Sequence, residues 1–303
     1  MIIVQLKGGT GNQMFQYAAG RALALRTHSS LFLDLHFLEQ GKLEADVDYR
    51  KYGLTSFRIQ AKVIDSDNRD NFYRKALRNH AIKLSALNRL LLRYRLPLKK
   101  IYTEKKRSYN VDFKSLSRNT YLNGYWPSPK YFKDFEDIIR KDFRFKHEPD
   151  STNREMITQI SQHHESVAIH IRKGDFSKLD KLGVIKMDYY KRAIEYYLKH
   201  LKDPVFYLFG NDPNEVSKEI NTTIDDLQCV SVDLNSEPQK HIEDLRLISH
   251  CKHQIIGNST FAWWGAWLNR NPEKMVAAPI KIFNDKELNE EIQDMIPESW
   301  LRF

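Results

Sequence analysis

This chain of 303 residues contains little cysteine. It also shows no long apolar run and no recognisable export signal. Its two cysteines, Cys229 and Cys251, are too few for a disulfide framework, which fits a reducing compartment. No apolar run approaches the ~20 residues that a transmembrane helix needs. The residues before Gly8 include neither a basic stretch nor a long apolar stretch, so no signal peptide is predicted. We therefore expect a soluble cytoplasmic protein, and 41% hydrophobic residues suffice for a buried core.

The net charge of +9 comes from one segment rather than from the whole chain. Residues 69–107 contain 13 lysines and arginines against two acidic residues, so the remainder of the chain is close to neutral. Because the charge is local, nucleic-acid binding is not indicated. Apolar residues recur at helical spacing from Arg69 to Tyr94, which predicts a basic amphipathic helix. This helix is either solvated and packed on its own domain or a surface that meets anionic lipid head groups or an anionic acceptor.

Two domains are predicted, 1–150, which includes the basic helical segment 69–107, and 151–303, joined at the polar stretch Lys146–Asn153. Residues 2–35 indicate a strand, a glycine loop, a helix that buries one face, and a second strand, which implies a parallel sheet. The second half alternates helical patterns with apolar strands, at 167–171, 205–209 and 254–257. The predicted fold class is α/β, with two Rossmann-like domains facing a cleft that is the natural ligand site.

The first candidate site is the glycine-rich loop between the first strand and helix. Glycines let a ligand approach the backbone closely, and the helix N-terminus offers free N–H groups. Met14 stands where a dinucleotide-binding loop has its third glycine, which argues against that class of loop. The candidate binding residues here are Gly9, Gly11, Asn12 and Gln13.

The second candidate site is the sequence HIRKGD at 170–175, at the end of a predicted strand. Strand alternation places His170 and Arg172 on one face, at the sheet edge where ligands bind in open α/β folds. Arg172 offers a permanently charged planar fork suited to a diphosphate, and His170 can donate or accept near neutral pH. Gly174 permits a turn that returns Asp175 to the same space. The candidate catalytic residues are Arg172, His170 and Asp175.

Further candidates lie at two other strand ends and on one helix. Ser259 and Thr260 stand where a strand meets a Trp-rich helix, so their hydroxyls can cap the helix and, with its first N–H groups, hold an anion. At least two of its three tryptophans are expected in the core. The other candidates are Asn258, Phe261, Phe209, Gly210, Asn211, Asp212 and Asp244.

Metal-binding signals are weak. Two pairs of aspartates, Asp46 with Asp48 and Asp65 with Asp67, have the spacing used by metal-dependent nucleotide-sugar enzymes, but neither pair follows an apolar strand. The 11 histidines show no paired ligand spacing on a helix face. We therefore expect no bound metal and no cofactor.

The three loops together resemble one known family. Residues 8–18 (GGTGNQMFQYA), 170–175 (HIRKGD) and 258–268 (NSTFAWWGAWL) are similar, in order and spacing, to the bacterial α-1,2-fucosyltransferases of glycosyltransferase family 11. The departures are small: Thr10 stands where the family often has leucine, and Lys173 where a second arginine is common.

The resemblance implies a GT-B fold, with GDP-fucose held mainly by the C-terminal half and the acceptor mainly by the N-terminal half. It implies inverting transfer of L-fucose from GDP-β-L-fucose to the 2-hydroxyl of a galactoside, in the synthesis of a bacterial surface glycan such as an O-antigen. The acceptor would be a galactose-terminated oligosaccharide or a lipid-linked glycan, with no metal required. Such an enzyme would be cytoplasmic, and 69–107 is the stretch that could contact an anionic membrane at its inner face.

Breaking the bond between fucose and phosphate builds negative charge on the GDP oxygen, so an enzyme without a metal needs a cation at the leaving group. Arg172 is the candidate for that task, with help from 258–261, and His170 would orient the phosphate or the fucose. Asp175 would either bond a sugar hydroxyl or stabilise the Arg172 loop. Two further groups of residues are candidates for donor binding. The loop Gly9–Gln13 would close the cleft. Residues 209–212, with Asp244, would form a guanosine pocket.

Two other classes of function stay open at this point. A nicotinamide-dependent oxidoreductase would use the first strand–helix–strand unit, with Asp34 on the ribose. A non-catalytic nucleotide- or lipid-binding protein would use the basic helix. Among glycosyltransferases, another donor sugar or another linkage is the competing hypothesis.

Overall fold

Each half of the chain is built on one parallel sheet. The computed structural model describes residues 1–40, 51–64, 100–172, 183–221, 224, 227–237 and 240–303, which form two compact units, 1–146 and 147–303. Residues 69–99 of the basic segment lie outside this set. So do Asp175 and the aspartate pairs Asp46, Asp48, Asp65 and Asp67.

The N-terminal sheet has five described strands: β1 Ile2–Gln5, β2 Leu31–Asp34, β3 Lys62–Val63, β4 Lys100–Thr103 and β5 Thr120–Asn123. All pair in parallel, in the order β3-β2-β1-β5-β4, so β1 lies at the centre. The helix predicted at 69–94 lies outside the described residues. β4 belongs to the later part of the basic segment 69–107 and is extended, because Ile101, Tyr102 and Thr103 are β-branched or aromatic residues that favour strands.

Helix α1, Thr10–Arg26, is buried on nearly all sides rather than along the single face predicted. It lies against β1 and β2 and also against short 3-10 turns at Leu54–Ser56 and Pro129–Tyr131. Its buried Gln16 is satisfied by a reciprocal pair of hydrogen bonds with the Lys7 backbone, at 3.0 and 3.1 Å. The polar positions of the helix are therefore buried without losing their hydrogen bonds.

A buried carboxylate joins α1 to the end of the N-terminal unit. The unit also contains helices α2, His36–Gln40, and α3, Glu136–Asp142. Asp142 Oδ2 accepts hydrogen bonds from the Tyr17 hydroxyl at 2.7 Å and from Arg21 Nε at 2.9 Å. Because Tyr17 is fully buried and Asp142 is 6% exposed, this contact fixes α3 against α1.

The C-terminal sheet has six described strands: β6 Ser166–Ile171, β7 Val205–Gly210, β8 Cys229–Ser231, β9 His253–Ile256, β10 Val276–Ala278 and β11 Leu301–Arg302. Their order is β8-β7-β6-β9-β10-β11, and every described pair is parallel. Along the chain, β7 and β8 are added in order on one side of β6, and β9, β10 and β11 are then added in order on the other side. This is the doubly wound Rossmann order, with its switch point between β6 and β9.

Six described helices cover this sheet: α4 Ser151–Gln162, α5 Met187–His200, α6 Pro213–Asn221, α7 His241–His250, α8 Thr260–Leu268 and α9 Lys286–Glu291. α4 begins inside the stretch predicted to be a linker, because Asp150 caps it by accepting from the Asn153 N–H at 2.9 Å.

The tryptophans of α8 lie in the core, as expected for at least two of them. Trp263 and Trp264 are fully buried and Trp267 is 5% exposed. The Trp263 indole N–H donates to the Met295 carbonyl at 2.9 Å. Among the described residues, no helix has both the length and the hydropathy needed to cross a bilayer.

We predict that Asp142→Ala destabilises the N-terminal unit by roughly 3 kcal/mol, because it leaves a buried phenol and a guanidinium without their acceptor. Asp134→Ala is the matched control: Asp134 is 56% exposed and its two ion pairs span 3.8 Å. That change should alter stability by less than about 0.5 kcal/mol. Calorimetric unfolding of both variants measures the difference, and equal effects would contradict the role given to Asp142.

Candidate functional site

Strand β6 brings three loops to one edge of the C-terminal sheet. His170, near its end, is paired with Phe209 of β7 on one side and Ile256 of β9 on the other. Because all three strands are parallel, the residues that follow them emerge at the same edge. The segments brought together are Arg172, Gly210–Asp212 and Asn258–Phe261. Ligands of doubly wound folds bind at this carboxyl edge, at the switch point.

His170 is buried but keeps an uncommitted ring nitrogen. Its residue is 8% exposed, and among the described residues none hydrogen-bonds its Nδ1. Burial, and secondly the charge of Arg172, lower the pKa of this imidazole to about 4. His170 is therefore neutral at physiological pH and can offer a ligand either a donor or an acceptor.

Arg172 is the first residue after β6 and is half-buried. Strand alternation places it on the same face as His170, and its charge helps to lower the pKa of that imidazole. A half-buried guanidinium at a sheet edge has a stronger field than one in water. Asp175, the third predicted catalytic residue, lies outside the described part of the chain.

Two tyrosines of α5 hold the ends of β6 and β9. Tyr189 donates to the Ile256 carbonyl at 2.7 Å, and Tyr190 donates to the His170 carbonyl at 3.4 Å. A Cβ on Gly257 would collide with the Tyr190 hydroxyl, so a glycine is required there. The sequence pattern did not indicate these hydrogen bonds. A general rule could have indicated them, because a buried tyrosine hydroxyl usually needs a hydrogen-bond partner.

The end of β7 turns at Gly210, where a Cβ would overlap the Ile171 carbonyl oxygen. Phe209 is fully buried in the core and supports the strand end from below. Asn211 and Asp212 are exposed beyond the turn. Asp212 Oδ1 accepts from the Glu215 N–H at 2.8 Å, so this carboxylate is partly committed to the start of α6.

The loop after β9 is fixed by its own polar residues. Ser259 caps α8, with its hydroxyl accepting from the Ala262 N–H at 3.4 Å, and Asn258 donates to the Gly183 carbonyl at 3.0 Å. Both side chains are at least 95% buried, whereas Thr260 and Phe261 are half-exposed. The first turn of α8 thus leaves Thr260 and Phe261, with their N–H groups, facing outward at the edge.

Phe261 also connects β6 to α7. Its ring centroid lies 6.4 Å from that of His170 and 5.9 Å from that of His241, the first residue of α7. His241 was not among the sequence-predicted site residues, because nothing in its neighbourhood along the chain marks it. Its place in the site follows only from the packing of α7 beside α8.

Asp244 lies one turn further along α7 and is the most perturbed carboxyl of this region. Asn235 donates to its Oδ1 at 2.9 Å, and within the described residues no partner is found for Oδ2. Burial, reinforced by repulsion from Asp233 and Glu243 and opposed by the Asn235 hydrogen bond, raises its pKa to about 6. Asn235 is itself held by reciprocal hydrogen bonds with Asn153, both at 3.0 Å. Asp244 Oδ2 is therefore a hydrogen-bond acceptor that is held in a fixed position.

The glycine loop belongs to the N-terminal unit and is fixed by Gln13. The Gln13 amide donates to the Gly8 and Lys51 carbonyls and accepts from the Gly53 N–H, each at 2.9 Å. Its side chain thus shapes the loop. Gly9 is the N-cap of α1 and Gly11 is buried in its first turn. Asn12 is half-exposed and has no hydrogen-bond partner among the described residues.

Asp34 does not offer the free carboxylate that a nicotinamide-dependent oxidoreductase requires. Its Oδ2 accepts from the Tyr121 hydroxyl at 2.7 Å, its Oδ1 accepts from the His36 N–H at 2.9 Å, and the residue is 2% exposed. Both oxygens are thus used inside the unit, and Met14 is fully buried in α1. Asp34 is therefore not available for the ribose contact that the oxidoreductase hypothesis assigned to it.

No cluster suited to a metal ion is found among the described residues, taking groups of three or more His, Cys, Asp or Glu side chains. Arg172 is a cation that the described part of this edge presents.

The fold resembles that of a known enzyme structure. A mutant of Arabidopsis thaliana FUT1 in complex with GDP superposes with a TM-score of 0.53 at 10% identity, covering 91% of this chain and 69% of that one. The GT-B fold predicted from the motifs is thereby confirmed.

Sequence similarity to a known protein extends over the whole chain. An alpha-1,2-colitosyltransferase of Escherichia coli is 30% identical, covering 100% of this chain and 98% of the relative. A galactoside 2-alpha-L-fucosyltransferase of Caenorhabditis elegans is 26% identical over 58% of this chain and 50% of its own length. Residues 1–302 match the profile of glycosyl transferase family 11. The chain therefore belongs to glycosyl transferase family 11.

Proposed function

We propose that this glycosyltransferase moves L-fucose from GDP-β-L-fucose to the 2-hydroxyl of a galactoside, with inversion to an α-1,2 bond, in the synthesis of a bacterial surface glycan such as an O-antigen. The observation that carries the proposal is the pairing of a neutral, buried His170 with Arg172 at the switch point of the C-terminal sheet. The three family motifs support the choice of sugar and linkage. The names of both sequence relatives support the α-1,2 linkage, and the name of the Caenorhabditis elegans relative supports fucose and a galactoside acceptor.

The leaving group determines what the site must supply. In the proposed step the bond between fucose C1 and the β-phosphate oxygen breaks, and its electron pair goes to that oxygen. The acceptor 2-hydroxyl attacks C1 from the opposite face and loses its proton to water or to a base. Arg172 would neutralise the charge gained by the diphosphate, in a fork geometry that matches two phosphate oxygens.

His170 would position the diphosphate without adding charge. Since its pKa is about 4, the ring is neutral during the reaction, and its free nitrogen would donate to or accept from the donor substrate. The half-exposed Thr260 hydroxyl and the first N–H groups of α8 would add donors for the phosphates. Asp175 is proposed either to bond a sugar hydroxyl or to stabilise the Arg172 loop.

Asp244 would recognise the guanine base. A carboxylate accepts well from the N1–H and the 2-amino group, which lie side by side on guanine and which adenine lacks. The uncommitted Oδ2 and the fixed Asn235 partner favour this use. Phe261 and His241 would border the same space from α8 and α7.

A second candidate donor is GDP-colitose, because the relative that aligns with the whole chain is named a colitosyltransferase. Colitose is L-fucose without the 3-hydroxyl, so the two sugars differ by one hydrogen-bonding group. A site built to bond that hydroxyl discriminates strongly against its absence. Contact of 69–107 with an anionic membrane and a cytoplasmic location remain predictions from the sequence.

The donor assay with an Arg172 variant is the principal test. Purified protein, lactose and either GDP-fucose or GDP-colitose should release GDP, and NMR of the product should show an α-1,2 linkage with fucose as the faster donor. Arg172→Lys keeps the charge but loses the fork, so we expect kcat to fall about 10²–10³-fold. Arg192→Lys, an exposed change on α5, is the control. Near-normal turnover by Arg172→Lys would contradict the role assigned to the guanidinium.

Transfer should persist in excess EDTA, because Arg172 and the start of α8 supply the positive field that a divalent ion supplies elsewhere. Rates measured before and after chelation, with Mg²⁺ or Mn²⁺ added back, test this. A strict requirement for added metal would overturn the assignment.

GDP binding should weaken below the pKa of Asp244, about 6, because the carboxylate must be ionised to accept from guanine. In that range the affinity contributed by Asp244 falls up to about tenfold for each pH unit. Asp244→Asn should lose this component and the preference for GDP over IDP, which lacks the 2-amino group. Asp203→Asn, an exposed change before β7, is the control. Calorimetric titration from pH 5 to 8 gives the comparison; identical profiles for wild type and Asp244→Asn would refute the guanine contact.

A further inference from the structure

A second group of polar residues lies at the carboxyl edge of the N-terminal sheet, where the neighbouring strands β1, β5 and β4 end. Lys7 follows β1, Glu104 follows β4, and Asn123 and Tyr125 lie at the end of β5. We refer to these four residues as the Lys7 cluster. All four are half-buried, and none was a predicted site residue.

The cluster is held together by direct contacts. Lys7 Nζ donates to Asn123 Oδ1 at 3.2 Å and lies 4.7 Å from the centroid of the Tyr125 ring. The guanidinium of Arg107 lies 5.3 Å from the same centroid. Tyr125 therefore holds two cations near its ring, which orients both of them.

The backbone around the cluster is fixed. Glu104 accepts from the Tyr125 N–H at 2.7 Å and from the Trp126 N–H at 2.8 Å, one with each carboxylate oxygen. Trp126, at φ +55°, stacks on Tyr102 with centroids 5.7 Å apart. At the other end, the buried Gln16 amide holds both backbone groups of Lys7. Side chains mounted in this way are preorganised for a ligand.

Several polar atoms of this region have hydrogen-bonding capacity to spare. The Lys7 ammonium has three donors, of which one is used, and the described residues offer no partner for Asn123 Nδ2 or the Tyr125 hydroxyl. The indole N–H of Trp126 is buried with no described partner. Burial lowers the pKa of Lys7 and raises those of Glu104 and Tyr125, so these groups are already partly desolvated.

We propose that the Lys7 cluster binds the pyranose ring of the acceptor that receives the transferred sugar. Sugar hydroxyls would accept from Lys7 and Asn123 and donate to Tyr125 and to the remaining lone pairs of Glu104. A few convergent polar groups beside aromatic surface are what a hydroxyl-rich neutral ligand requires. This inference rests on the proposed function only for the identity of the sugar, a galactoside.

Saccharide binding without any sugar nucleotide tests the inference separately from the donor. The probes are methyl β-D-galactopyranoside, lactose and N-acetyllactosamine, measured by saturation-transfer NMR on the full chain. Lys7→Met and the conservative Tyr125→Phe should each weaken binding about tenfold, the effect of losing one hydrogen bond to a charged or buried partner. Lys62→Met, an exposed change on β3 at the opposite edge strand, should bind like wild type.

The outcomes separate the two proposals. GDP affinity should be retained in both variants, and a parallel loss of GDP and saccharide binding would contradict an acceptor site. Unchanged saccharide affinity in both variants, or no binding of any probe by wild type, would also overturn the inference. If saccharide binding depends on Lys7 but neither GDP-fucose nor GDP-colitose is consumed, the acceptor site stands and the proposed donor fails.

Discussion

The position of β6 between β7 and β9 is the constraint on which the rest of the site depends. Its neighbours β7 and β9 are reached by connections that run in opposite directions along the sheet, so the segments that follow these three strands meet at one edge. His170 and Arg172 reach the edge only because the sheet is parallel and this strand is central. Tyr189 and Tyr190 then secure the carbonyls at the strand ends, so the register of the edge is held by hydrogen bonds as well as by pairing.

Electrostatics gives different roles to His170 in β6 and to Arg172, the first residue after it. A buried imidazole beside a permanent cation is held neutral, so it can orient a substrate without competing for the negative charge. The guanidinium of Arg172 supplies a positively charged planar fork and is half-exposed at the edge. In the proposed reaction this cation would lie where the departing diphosphate gains charge, and it would stabilise that charge electrostatically.

Much of the framework could be predicted from the sequence, because strands, glycine turns and helix starts are encoded locally. The ends of β6 and β7 and the cap at Ser259 follow from alternation, glycine and hydroxyl positions. The local sequence does not show which distant residue will provide the hydrogen-bond partner of a buried polar group. Gln13 shapes its own loop, and Asp34 is used by Tyr121. His241 likewise joins the site only through a helix packed from elsewhere. Partners of this kind are far apart in the sequence, so no periodic pattern of residues indicates them.

A crystal structure of the protein with bound GDP tests the central claim most directly. Two nitrogens of the Arg172 guanidinium should lie about 2.7–3.0 Å from oxygens of the diphosphate, as in a bidentate charge-assisted pair. His170 should contact the same group through a ring nitrogen. A guanidinium directed away from both phosphorus atoms, with the diphosphate neutralised by a metal ion or by other cations, would contradict the account.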